Sequence, residues 1–517
     1  MIDILRTPDD LKIYCEGENT DADFETVLEN GTLAVYVTAS TARIKRILLR
    51  WTFPTRTPVR IMGDKWERAY GDMTWGSLNG EIFMPWYFLA SDGNATVGYG
   101  VKTGANSFVC FQYDAQGITC HIDLRNGGKG VCLNGRELKA CEIVCKKYEN
   151  ISEFEAAKRF CSLMCAHPVL PKEPVYGSNN WYYAYGVSSK EDIIKDCEII
   201  ASLTKGLANR PYMVIDDGWS LNSCGGPWYP NEKYGDMGEI AREFKKMDVK
   251  AGIWFRPLHD IKEENNHPER CINRKENRFL DPTHPEVKEY IKDTVSRLRN
   301  WGYTLIKHDY STFDLFGRYG FSLNGMITSD GDWQFYDNTK TNAEIVKELY
   351  LLIQHWAGDA VVIGCNTVSH LCAGIHAVNR VGDDTSGRHW SRTRALGVNS
   401  LAFRLCQNNT FYSADADCVG ILEENIPWHL NRQWLRLLAY SGTPLFVSIQ
   451  PKALTEEMKK DLAQAFEINS LQQNCALPLD WTYNNTPCVW DIDGNKTEFD
   501  FIGDVYPTLL DFNTQPY

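Results

Sequence analysis

Three short segments of the chain set carboxylates beside cations or in pairs: Asp216-Asp217 before Gly218-Trp219, Lys307-His308-Asp309, and Arg380-Val-Gly-Asp383-Asp384. A carboxylate two residues after a lysine on a strand shares its face. The positive charge favours the ionised carboxyl, which is the state a nucleophile needs. A second carboxyl nearby can protonate a departing oxygen. Glycoside hydrolysis requires that division of labour: one acid attacks or assists the anomeric carbon and another serves the leaving oxygen. Aromatics accompany these segments in Asn180-Trp-Tyr-Tyr183 and Gly252-Ile-Trp-Phe255. An indole can stack on the apolar C–H face of a sugar, although most of the 16 Trp, 25 Tyr and 22 Phe must fill a large core. A metal reading would draw on His259, Asp260, His308 and Asp309. It lacks the His-x-His spacing expected on a first strand, and no CxxC or HExxH pattern occurs, so no metal and no organic cofactor is expected.

The elements that would position these groups are bounded by composition. The 517 residues are 43% hydrophobic and 23% charged, the proportions of a globular protein of several domains. A net charge of −13 without a basic run argues against nucleic acid and anionic membrane as partners. No apolar stretch reaches the length of a membrane span. The start, Met1-Ile-Asp-Ile-Leu-Arg6, lacks the pattern of a secretory signal, and the 17 cysteines follow no disulfide framework. A cytoplasmic chain with reduced thiols is therefore expected.

Residues 1–150 read as a β-sandwich: short alternating runs such as Thr32–Thr38 and Ser107–Tyr113 recur between turn signals. A helix near Ser152–Cys165 and a Pro-rich linker fill 151–174. From 175 to 453 the rhythm changes. Eight apolar runs end in polar residues, with amphipathic helices between most of them: Val175–Tyr185, Tyr212–Trp219, Val249–Pro257, Tyr303–Tyr310, Val361–Asn366, Ala377–Asp384, Thr410–Cys418 and Pro444–Gln450. Eight strand–helix units over roughly 275 residues predict a (β/α)8 TIM barrel, with its site at the strands' C-terminal ends. The gap between the fifth and sixth runs is too short for a full helix. Residues 454–517 begin helically and then alternate, predicting a small C-terminal β region. The fold class is thus multidomain α+β.

Asn180-Trp-Tyr-Tyr183, Asp216-Asp-Gly-Trp219, Gly252-Ile-Trp-Phe255, Lys307-His-Asp309 and Arg380-Val-Gly-Asp-Asp-Thr385 occur in this order, each at a predicted strand end. The set resembles the α-galactosidases of glycoside hydrolase family 36 and, more distantly, family 27 of the same clan. The resemblance covers about Val175 to Gln450, and the family also carries an N-terminal sandwich.

The resemblance implies Asp309 as nucleophile and Lys307 as a sugar-binding lysine. Strand six alone leaves Asp383 and Asp384 both open as acid/base; an Arg four residues before the catalytic acid in relatives implies Asp384, protonated near neutral pH. Asp216 and Asp217 match a pair holding the 4- and 6-hydroxyls of a galactose-like ring. Trp181, Tyr182 and Trp254 match wall residues, Cys365 a strand-five cysteine near the sugar, and Arg380 the arginine before the acid. Trp75 is the aromatic that the N-terminal domain would lend. The implied reaction is retaining and exo-acting, on an α-galactoside or related oligosaccharide, and relatives form homo-oligomers. Two departures bear on the exact sugar. Arg256 stands where relatives commonly carry an acid, with an anionic substituent or a salt bridge to Asp216 or Glu263 as its readings. Asn366-Thr-Val replaces a Ser-Gly-Gly run. His308 is expected to face the helix layer as a structural residue. The alternatives are a raffinose-synthase-like galactosyl transferase, a hydrolase for a different or substituted α-glycoside, and a non-catalytic sugar-binding protein.

Overall fold

The computed structural model describes residues 3–17, 21–55, 58–274, 278–323, 325–423, 426–473 and 475–501. Its centre is a nine-stranded parallel sheet. In chain order the strands are Tyr176–Asn179, Tyr212–Ile215, Lys250–Phe255, Leu305–His308, Val361–Gly364, Val378–Arg380, Ser413–Asp415, Cys418–Ile421 and Leu445–Ile449. Each of the eight apolar runs contains one of them, except that the seventh run opens onto two. Ser413–Asp415 pairs with Val378–Arg380, while Cys418–Ile421 pairs with Leu445–Ile449, which in turn pairs with Tyr176–Asn179. Only Ala416 and Asp417 separate the two pieces, so the sheet curls back on itself in a TIM-like barrel, with strand seven broken at its middle. The strands are short and buried on both faces, as expected of parallel strands under a helical layer.

Local sequence fixes the helices between them. Ser189 and Asp192 form a capping box at the start of Lys190–Leu203, and Thr341 and Glu344 form another at Asn342–Ala357. The short gap between strands five and six holds the single turn Ser369–Cys372.

Before the barrel stand two antiparallel sheets, one of six strands and one of seven. They fit a sandwich, and their edge strands Asp10–Cys15 and Asp23–Glu29 alternate exposed and half-buried residues. The helix Glu153–Met164 follows. After the barrel, the helix Glu456–Asn469 leads to a three-stranded sheet of Leu477–Pro478, Val489–Ile492 and Asn495–Glu498. Of the C-terminal β region expected over 454–517, residues 502–517 lie outside the described residues.

Sandwich and barrel share one core. Asp64 and Arg404 form a fully buried ion pair at 2.8 Å between them, and Gln407 Nε2 donates to the same carboxylate at 3.1 Å. Next to this pair the sandwich loop Asp64–Tyr70 runs along the end of strand six. There Ala69 bridges Gly382, donating its amide to Val381 and accepting from Asp383. Gly382 permits the approach of the chain around it: a Cβ there would lie 2.3 Å from the Leu396 carbonyl oxygen. No helix among the described residues is long and apolar enough to cross a membrane.

Candidate active site

Asp309 follows strand four and is 7% exposed. Its Oδ2 accepts from the Trp254 indole at 3.1 Å, and its Oδ1 accepts from the Asn366 amide at 2.5 Å and the Tyr310 backbone N–H at 2.7 Å. Three strand ends thus converge on one carboxylate. Burial pushes its pKa up. The charges of Lys307 and Arg68, together with the bonds from Asn366 and Trp254, outweigh that and hold it at about 2.

Lys307 does not bond Asp309 directly. Its Nζ donates to Asp216 Oδ2 at 2.8 Å, and the Asn179 amide donates to the same oxygen at 2.6 Å. Burial works against the Lys307 charge, but Asp216, Cys365 and Asp309 raise its pKa overall. Asp217 is used differently. Its carboxylate accepts from the amides of Gly218 at 2.7 Å and Cys224 at 2.9 Å and from the Ser223 hydroxyl at 3.2 Å. It braces the hairpin Ser220–Asn222/Gly225–Pro230 from the end of strand two.

Across the mouth, Asp384 carries the more open carboxylate, with 38% of its side chain exposed. Arg380 Nη2 reaches its Oδ1 at 3.1 Å, and Arg68 Nη1 reaches the same oxygen at 3.4 Å. Arg68 makes its shorter contact, 2.8 Å, with Asp383. Arg380 is anchored behind by Asp417 at 2.9 Å. Burial would raise the Asp384 pKa; Arg68, Arg380 and Lys307 lower it instead, against an upward push from Asp309 nearby. Its neighbour Asp383 moves up, chiefly through burial, although Arg68 opposes the shift. The expectation that Asp384 is protonated near neutral pH is therefore not met in the free protein. The two guanidinium groups favour its ionised form, while burial favours the neutral form of Asp383.

The remaining expected residues divide. Trp254 is at the nucleophile, as described. Trp181 is half-buried beside Tyr185, ring centroids 5.2 Å apart, and its backbone N–H donates to Asn179 Oδ1 at 2.7 Å. Tyr182 is buried, and its hydroxyl donates to Asp417 rather than opening to the mouth. Cys365 is buried between Arg68 and Arg380, each with Nη1 3.9 Å from Sγ, and burial pushes its thiol well up, so it stays neutral. Trp75 is a correction. Its ring packs edge-on against Trp481 at 5.5 Å in the core, and the residue the sandwich brings to the site is Arg68, seven positions earlier.

Arg256 is a second correction. It pairs with neither Asp216 nor Glu263 but with buried Asp314, at 2.6 Å from Nη2, and its guanidinium lies over Tyr310 at 4.3 Å. His308 lies 3.1 Å from His376, Nε2 to Nε2, and packs on Tyr350 of the helix Asn342–Ala357. The four residues of the metal reading do not converge. His259 bonds Glu264, Asp260 caps the helix Ile261–Asn266, and His308 faces His376. Among the described residues no other cluster fits a metal ion.

Three site residues escaped sequence reasoning: Arg68, Asn366 as a donor to Asp309, and Asp417. Asn366 ended an apolar run and could have been read as such. Asp417 lies where strand seven breaks, with φ at +78°, and Arg68 sits in a loop of another sheet, so neither had a local signal.

Neither a family model nor a curated protein sequence matches the chain. Solved structures do. An α-galactosidase from Thermus thermophilus, in complex with p-nitrophenyl α-D-galactopyranoside, superposes with a TM-score of 0.64 at 14% identity, covering 92% of this chain and 99% of its own. The family 36 α-galactosidase AgaA from Geobacillus stearothermophilus gives 0.59 at 14% identity, over 90% of this chain and 74% of that one. An α-galactosidase from Lactobacillus brevis gives 0.60 at 12% identity, over 94% and 74%. The chain therefore has the fold of the α-galactosidases of glycoside hydrolase family 36.

Proposed function

We propose that the protein is a retaining, exo-acting glycoside hydrolase of the α-galactosidase kind, working by double displacement through a covalent glycosyl-Asp309 intermediate. One observation carries the reading. An ionised, buried Asp309, fixed by Trp254 and Asn366, shares a barrel mouth with an Asp384 bracketed by Arg68 and Arg380. Shared fold supports it: structures of this architecture have been solved with p-nitrophenyl α-galactoside and with stachyose.

In the first step an Asp309 oxygen bonds the anomeric carbon as the glycosidic C–O bond breaks, and the leaving oxygen takes a proton from Asp384. In the second, Asp384 takes a proton from water while water displaces Asp309. The ionised Asp384 of the free protein is already in the state required for that second step. For the first it must take up a proton, which it then gives to the leaving oxygen, and that transfer returns it to the base form. The Asp216 carboxylate, fixed by Lys307 and Asn179, faces sugar hydroxyls as acceptor, with Lys307 as donor. Since Arg256 is consumed by Asp314, an anionic substituent on the sugar loses its support.

The test is hydrolysis of p-nitrophenyl α-galactoside followed by NMR, with Asp309→Asn as control. Release of α-galactose, abolished in the variant, is expected. First-formed β-product would overturn retention, and the same enzyme incubated with an acceptor sugar would expose a transferase.

A further inference from the structure

Beside the acid/base, aromatic residues that take no part in the reaction form a continuous path. Phe313, in the turn of helix Ser311–Phe316 just after Asp309, stacks on Tyr319 with centroids 4.3 Å apart and planes 19° from parallel. Tyr319 stacks on Phe321 at 5.5 Å and 11°. Phe321 meets Tyr70 edge-on at 5.5 Å and 82°. The Tyr70 ring lies 5.6 Å from the Arg68 guanidinium, and Arg68 touches both Asp383 and Asp384. The path thus joins the loop after strand four to the sandwich loop and ends at the candidate proton donor.

The two loops are built to meet. Tyr70 donates its hydroxyl to buried Glu67 at 2.9 Å, and a Cβ at Gly320 would fall 2.0 Å from Glu67 Oε2 and 2.7 Å from the Tyr70 ring, so a side chain there would push on both. Yet the last ring of the stack, Phe321, is left 53% exposed. An exposed aromatic held rigid by two other rings contributes little to the core and offers an apolar face to a ligand.

Its position names the ligand. The sugar being cleaved lies toward Asp216 and Lys307, and the glycosidic oxygen must sit beside Asp384. A leaving group that extends past Asp384 toward Arg68 would meet Tyr70 next, and a second ring would meet Phe321. We propose that Tyr70 and Phe321 form a leaving-group subsite that stacks the sugar rings of an oligosaccharide α-galactoside, with Arg68 as the hydrogen-bond donor at its inner edge. This rests on the α-galactosidase reading above and assigns its leaving-group side.

The test compares α-galactosyl fluoride, which has no leaving-group sugar, with raffinose, for the wild type, Phe321→Ala and Phe321→Trp. Phe321→Ala is expected to lose about tenfold in kcat/KM on raffinose, mainly through KM, and to keep its rate on the fluoride within about twofold. Phe321→Trp should restore raffinose cleavage. An equal loss on both substrates, or no loss on raffinose, would overturn the subsite. A wild type that cleaves the fluoride but not raffinose would leave the α-galactosidase reading standing and overturn the subsite alone; one that cleaves neither overturns both.

Discussion

At the residue scale, the candidate nucleophile and proton donor are distinguished by what surrounds them rather than by their type. Asp309→Asn should lower kcat by at least about a thousandfold, since it removes the attacking oxygen. Asp384→Asn should cost about 10²–10⁴, and less on substrates whose leaving group needs no proton; steady-state kinetics on aryl α-galactoside and on α-galactosyl fluoride checks both. Asp309, held at about 2 by its neighbours, is not expected to set the alkaline limb of the pH profile. The alkaline limb belongs to the Asp383–Asp384 pair, faced by Arg68, Arg380, Arg392, Lys307, Asp309 and Glu67. Removing a cation raises a carboxyl pKa, so Arg68→Met should move that limb to higher pH. A pH–rate profile unchanged in the variant would show that Arg68 is only a prop. Lys307 and Asp309 stood out in the sequence because they close an apolar run, where a barrel strand presents its C-terminal end. Arg68 did not, because nothing local tells which residue of a sandwich loop will cross to a barrel, and the nearby Trp75 looked the better sugar partner while serving the core against Trp481.

At the scale of elements, the helix Asn342–Ala357 shows how one residue fixes both an element and its neighbour. Thr341 accepts from the Glu344 amide at the helix start, and its hydroxyl donates to the Asn106 carbonyl of the sandwich. Thr341→Ala should destabilise by about 1 kcal/mol through the lost cap, and Thr341→Ser should recover most of it; urea melts of the two variants check this. The strands were readable as apolar runs ended by polar residues, since strands buried on both faces carry no other pattern. The break in strand seven was not, because Ser413-Ala-Asp-Ala-Asp-Cys418 repeats the same small and acidic residues through it. What opens the ladder there is tertiary: the Asp417 carboxylate is claimed by Arg380, Tyr182 and Thr385.

At the scale of the molecule, the sandwich and the barrel are joined by buried charge. Arg404→Met would leave buried Asp64 without its partner, and about 3–5 kcal/mol of destabilisation is expected. Chemical denaturation followed by tryptophan fluorescence should show the loss as a lower midpoint of one shared transition, since both parts hold Trp in the same core. The division into sandwich, barrel and small terminal sheet followed from changes in rhythm along the chain, but their joining rests on pairs such as Asp64 and Arg404, 340 residues apart, which no local pattern announces. The loop beside that joint carries Arg68, so part of the charge at the barrel mouth is supplied by the sandwich. On the reading proposed above, exchanging the sandwich for one without that arginine would change the preferred acidity of the barrel in the same stroke.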